Sequence, residues 1–292
     1  MSFRVVHVVR HVKKTPVASS ESAVPNRDGQ RHVIILAQGQ QSRMPDLPIP
    51  KQAMALPLCG RVSIIGRTIY MARDIDPQAR ITVVAEWSML ARIMHPALSS
   101  LVSPMISGMA INDPELEEHE LADPGNSSLK GISRYLDYRR DCQNLAAEKT
   151  FAQTVVLLGD CVYSWHCLEL LMRDTIPYVF VGTSNLSESE GEIWGIAWTS
   201  EANETMTDWL KKALRRHPPF EKTYQCGQLR QWLFTARRDN DPHPVIYTSV
   251  DDYTKDFDVP ADLDHLLSTS GHARMDDRQH GIDWGRATVV DG

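Results

Sequence analysis

The run Val33-Ile34-Ile35-Leu36-Ala37-Gln38-Gly39-Gln40-Gln41-Ser42-Arg43-Met44 decides how the rest of the chain is read. Its first five residues form a short unbroken apolar stretch, as expected of a strand buried on both faces. The chain then meets Gly39, which lets the backbone approach a ligand closely. Successive N–H groups in a turn of this kind can form an anion-binding nest. Arg43 adds a forked donor, and Lys51, just after Pro50, adds a point charge. One glycine and two cations also suit an ordinary solvated connection. On its own, then, the loop is a candidate polyphosphate site with a plain alternative.

Similar strands recur further along the chain. Ile81-Thr82-Val83-Val84-Ala85 is a second apolar run, and Thr154-Val155-Val156-Leu157-Leu158 is the strongest. Tyr178 to Val181, Ile193 to Trp198 and Val245 to Tyr247 add three more, and Leu101-Val102 opens another candidate. Between them, Val62 to Asp74, Ser88 to Met94, Gly131 to Thr150, Cys167 to Asp174, Glu204 to Arg216 and Ala261 to Ser268 carry helical patterns. Strands alternating with helices predict an α/β fold: a mixed, mostly parallel central sheet with helices on both faces. Ligands of such sheets bind outside the carboxyl ends of the strands. The loops after Ala37 and Leu158 are therefore where chemistry is expected.

The expected organisation is an N-terminal extension over 1–32, one domain over 33–268 and a C-terminal tail over 269–292. Phe3 to Val12 alternates weakly, as an edge strand does, and Thr15 to Arg31 has the Ser, Pro, Asn and Gly of a linker. The tail shows no clear period. Both extensions are candidates for contacts between copies, so a homo-oligomer is a possible assembly.

Charge and cysteine content narrow the function. Lys and Arg number 31 and Asp and Glu 37, a net charge of −6 that argues against a nucleic-acid partner. No run of eighteen apolar residues occurs, so no membrane span is expected. The five cysteines form no CxxC pair, which suits free thiols in a reducing, cytoplasmic setting.

Two acidic elements stand out. Gly159-Asp160 closes the strongest strand, where a carboxylate meets a hard divalent cation or caps the next helix. Further on, Asp256-Phe257-Asp258-Val259-Pro260-Ala261-Asp262-Leu263 sets Asp258 before a Pro-started helix. Asp262, inside its first turn, suits the helix dipole and reads as structural. Asp251-Asp252 reads as solvated loop charge.

Taken together, these elements resemble the sugar-phosphate nucleotidyltransferase superfamily. That family carries a strand, an L-A-A-G-x-G-x-R-M loop, and then Pro-Lys. Leu36, Ala37, Gly39, Arg43, Met44, Pro50 and Lys51 match it. Gln38 replaces an Ala, and Gln41 replaces the second Gly. Leu157-Leu158-Gly159-Asp160 resembles the family's Leu-x-Gly-Asp, and the Asp258 segment its D-x-D-T-P-E-D-L, with Val259 for Thr and Ala261 for Glu. The three elements span most of the chain in the family's order.

The resemblance implies a Rossmann-like nucleotidyltransferase fold and a reaction of an NTP with a phosphorylated acceptor, such as a sugar phosphate or phosphocholine, that releases pyrophosphate. Arg43 and Lys51 would be catalytic. Leu36, Ala37, Gly39, Gln40, Gln41, Ser42 and Gly131 would hold the nucleotide. Asp160 and Asp258 would hold Mg2+, with Asp256 as the alternate, and Glu192, Trp194 and Gly195 would face the acceptor. For Trp194 and Trp198 core packing is the competing role. A molybdopterin nucleotidyltransferase is a nearby alternative. Gln38 and Gln41 motivate another: a non-catalytic nucleotide-binding relative acting as a regulatory or interaction subunit. A metal-dependent glycosyltransferase is disfavoured, because Cys161-Val162 follows Asp160 where a D-x-D would stand.

Overall fold

The structure is a computed structural model of the chain, described over residues 4–7, 30–37, 53–59, 62–84, 151–173, 177–186, 191–216, 229, 232–234, 236, 246–257, 260–282 and 288–291. Val33 to Leu36 lie in strand β2, Arg31–Leu36. Its alternate residues serve two cores. Val33 and Ile35 pack on one face of the sheet, Ile34 and Leu36 on the other. An uninterrupted apolar run is what a strand needs when neither face meets water.

Beside β2 lie β3 (Arg80–Val84) and β4 (Gln153–Leu158), both parallel to it. Strand β7 (Ile193–Thr199) runs antiparallel between β4 and β6 (Tyr178–Gly182), and β8 (Ile246–Ser249) is parallel to β6. The six strands run in the order β3-β2-β4-β7-β6-β8. A smaller ladder joins β5 (Cys161–Val162) to β9 (Lys255–Asp256).

Helices cover both faces, as expected. Helix α1 (Ile64–Ile75), capped by the Ser63 hydroxyl accepting from the Gly66 N–H at 3.0 Å, packs on the Val33 face. So does α2 (Trp165–Leu171). The Ile34 face takes α3 (Asn203–Arg216) through Met206, Trp209, Leu210 and Ala213, with Trp232 and Leu233 beside them. Trp198 contributes to this core edge-on to Trp232, and its indole N–H donates to the Asn203 side chain at 2.6 Å.

The last helical segment differs from the expected Ala261 to Ser268. After a short α4 (Pro260–Leu263), helix α5 runs Leu266–Gln279, straight through Ser268. Its buried residues include Thr269, Ala273 and Asp277, spaced four apart as one helix face requires. Polar and small residues point inward while Leu267 and Met275 lie 60% and 63% exposed. That inverted pattern is why hydrophobic periodicity leaves the segment without a signal. The two extensions also meet: β1 (Arg4–His7) pairs antiparallel with β10 (Thr288–Asp291). The helical patterns at 88–94 and 131–150, the strand at 101–102 and Gly131 lie outside the described residues.

Candidate active site at the carboxyl ends of two strands

Chain order places β3 and β4 on opposite sides of β2. The chain therefore reverses direction across the sheet at β2, and the crevice outside the carboxyl ends of β2 and β4 is where a ligand is expected in this architecture. Leu36 and Ala37, both buried, close β2 at that edge. Asp160, half-buried, lies in the turn after β4.

The two strand ends touch. The Gly159 N–H donates to the Leu36 carbonyl at 2.8 Å. A Cβ on Gly159 would lie 2.8 Å from that oxygen and 3.1 Å from the Ala37 side chain. The glycine is thus needed for close approach, and it brings Asp160 beside the exit of β2.

A second acidic segment reaches the same place. In the small ladder Asp256 stands opposite Cys161, the residue after Asp160. Burial pushes the Cys161 thiol far up, and the Asp256 and Asp160 carboxylates add to that push. Both negative groups therefore act on one buried sulfur. The segment is pinned to the start of α2. The Ser164 N–H donates to the Thr254 hydroxyl at 3.0 Å, and the Asp252 carboxylate accepts from the Ser164 hydroxyl and from the Thr254 N–H at 2.7 Å. Asp252 is exposed, as a loop charge is expected to be, and also holds these two groups. Asp262 sits in the first turn of α4 and pairs with Lys255 at 3.1 Å.

Asp160 and Asp256 are hard oxygen donors on adjoining segments, a donor chemistry that fits a divalent cation such as Mg2+. Among the described residues no group of three or more His, Cys, Asp or Glu forms a metal cluster. Asp258, two residues beyond Asp256, lies outside them. So do Gly39, Gln40, Gln41, Ser42, Arg43 and Lys51.

The acceptor candidates occupy the start of β7. Trp194 is 5% exposed and packs its indole in the Val33-face core. Gly195 takes the Leu171 side chain of α2 against its bare Cα, where a Cβ would come within 2.6 Å of it. Glu192 is half-buried, and its N–H donates to the Thr183 hydroxyl at 3.0 Å. The structure thus gathers Leu36, Ala37, Asp160 and the start of β7 at one edge.

Beneath that edge lies a polar network that the sequence reading missed. Arg67 of α1, 1% exposed, donates from Nε to Asp277 Oδ2 at 2.9 Å and from Nη2 to Oδ1 at 2.6 Å. Its remaining donors reach the Tyr163 carbonyl and the Tyr253 hydroxyl. The Trp165 indole N–H also donates to Asp277, at 2.9 Å. One available signal was an arginine within the apolar face of a helix, three residues after Ile64 and two before Ile69.

No family model matches this sequence, and no curated protein matches it. Solved structures do. One is a Bacillus anthracis protein described as a glucose-1-phosphate thymidylyltransferase, 14% identical, with a TM-score of 0.50 over 82% of this chain and 95% of that one. Another is a 4-diphosphocytidyl-2C-methyl-D-erythritol synthase from Anaerococcus prevotii, 12% identical, with the same TM-score and the same coverage of both chains. The chain has the nucleotidyltransferase fold. The α/β architecture expected from the alternating strands is the one those two proteins share with it.

Proposed function

We propose that the protein is a Mg2+-dependent nucleotidyltransferase that joins an NTP to a phosphorylated small-molecule acceptor and releases pyrophosphate. The observation that carries this reading is the meeting, at the β2 switch point, of the end of the signature strand with the Asp160 turn. The matched loop residues follow directly from that strand in sequence.

In this reading the backbone of Gly39 to Ser42 and the Arg43 guanidinium hold the β- and γ-phosphates. Lys51 offsets the charge of two anions brought together at the α-phosphate. Asp160 and Asp258, with Asp256 as the alternate, hold Mg2+, which when bound supplies Lewis-acid and template chemistry. An acceptor that presents a phosphate oxygen is already a nucleophile, so no side chain needs to remove a proton from it. The protein's work is positioning and charge stabilisation. Glu192, just before β7, faces the acceptor, while Trp194 and Gly195 behind it are packed in the core, and Gly131 faces the nucleotide. The setting is a reducing, cytoplasmic one.

The test is pyrophosphate release from each of the four NTPs with Mg2+ and a panel of sugar phosphates, phosphocholine and molybdopterin. At least one pair should give release. Gln41, in the loop position where the resembled family has Gly, favours a second reading: a nucleotide-binding subunit without turnover. An NTP-induced thermal shift with no release from any pair would select it. Neither shift nor release would refute both readings.

A further inference from the structure

The ladder between β4 and β7 stops early. Its last pair is Leu157 with Gly195, although β4 continues to Leu158 and β7 begins at Ile193. The next pair in register would be Leu158 with Trp194. In its place stands the side chain of Tyr163, which is fully buried. Its hydroxyl accepts from the Leu158 N–H at 2.7 Å and lies 2.6 Å from the Trp194 carbonyl oxygen. The Leu158 carbonyl oxygen is farther, at 3.2 Å. A hydroxyl has one proton to donate, and the shorter contact assigns it to Trp194. One phenol oxygen thus bridges the donor and acceptor that would otherwise bond to each other.

The opposite side of β7 is irregular at the same residue. Along β6, Val181 pairs with Gly195 and Gly182 with Ile193, so Trp194 is the extra residue of a bulge. Bulges end pairing and re-aim side chains, often beside active sites. Here the alternation of β7 shifts, and Trp194 joins the Val33-face core while Ile196 and Trp198 stay on the other. The Tyr163 backbone is itself anchored, because its carbonyl accepts from Arg67. Burial also raises the phenol well above its ordinary value, so the hydroxyl keeps its proton.

We infer that Tyr163 is a positioning residue: its hydroxyl replaces one rung of the sheet and holds β4 and β7 apart where Asp160 and the acceptor strand face each other. Without it, Leu158 and Trp194 pair directly and the mouth of the crevice narrows. Tyr163 is buried below the edge and acts through the two strands. The functional part of this inference rests on the nucleotidyltransferase reading, while the structural part does not.

The experiment compares the full chain with Tyr163→Phe, which keeps the ring and removes the hydroxyl. Crystal structures form one arm, and kinetics on an NTP and acceptor pair that the wild type turns over form the other. The expected result is a direct Leu158–Trp194 rung, with kcat lower by about 10- to 100-fold and KM for the NTP within about threefold. A p-aminophenylalanine at position 163, whose amine donates to the Trp194 carbonyl, should reopen the rung and recover most of kcat. It also carries the test if the Phe variant does not fold, by keeping the strands apart and the activity near wild type. A Phe variant with the mouth unchanged, or one with the rung closed and kcat intact, overturns the inference. So does a p-amino variant with the strands closed and full activity. A wild type that releases no pyrophosphate with any pair refutes the nucleotidyltransferase reading, and the structural arm still decides the wedge.

Discussion

Gly159 and Asp160 do different work from adjacent positions. Asp160 offers a carboxylate at the edge, and Gly159 permits the contact that brings this edge to Leu36. Adding a methyl group at Gly159 sets a Cβ against a backbone oxygen that belongs to the neighbouring strand and cannot rotate away. Gly159→Ala is therefore expected to destabilise the fold by about 1–3 kcal/mol, as overpacking typically does. Urea unfolding checks this, and an unchanged midpoint would mean that Leu36 and Gly159 are farther apart than described. The place of Asp160 just after β4 was legible, because the apolar run of that strand stops at Gly159-Asp160. The role of Tyr163 was not, since nothing in Cys-Val-Tyr-Ser announces a side chain that folds back to bond the end of β4.

The elements most readable from sequence were those whose apolar residues follow a period. Strands β2, β4 and β7 and helices α1 and α3 lie within a few residues of their expected bounds. Helix α5 was missed because its inward face is Thr269, Ser270 and Asp277 rather than Leu or Val. What ties that helix down is charge. Asp277 is fully buried and meets Arg67 and the Trp165 indole, so α5 is latched to both α1 and α2. Burying such a pair costs desolvation, and removing one partner leaves the other charge uncompensated. Asp277→Ala should therefore cost about 3–5 kcal/mol, read as a shift in the urea midpoint. A cost below about 1 kcal/mol, as for an exposed pair, would mean that the latch is not buried.

For the whole molecule, the order of strands carries the functional argument, and that order was only partly legible. A strand covered on both faces shows the same apolar run whichever way it points, so the antiparallel insertion of β7 left no mark in the sequence. The interior also sets a limit on pH. Burial pushes the Cys59 thiol up to about 12, from an ordinary value of 9.0, and raises Cys161, Cys167, Tyr163 and Tyr253 as well. These groups are neutral when protonated, and their folded values lie above their unfolded ones. The Cys59 contribution is fully present below about pH 9 and is lost as pH rises toward 12, while those of the other four, raised further, persist to higher pH. Thermal unfolding midpoints should accordingly fall steadily above pH 9, and a flat profile to pH 11 would show that these groups are hydrated. The most direct test of the central claim is pyrophosphate release by Asp160→Asn beside the wild type, with the productive NTP and acceptor pair and Mg2+. The account predicts that the variant keeps its thermal midpoint and loses at least about 100-fold in turnover. Full activity in the variant would contradict the placement of the chemistry at the end of β4.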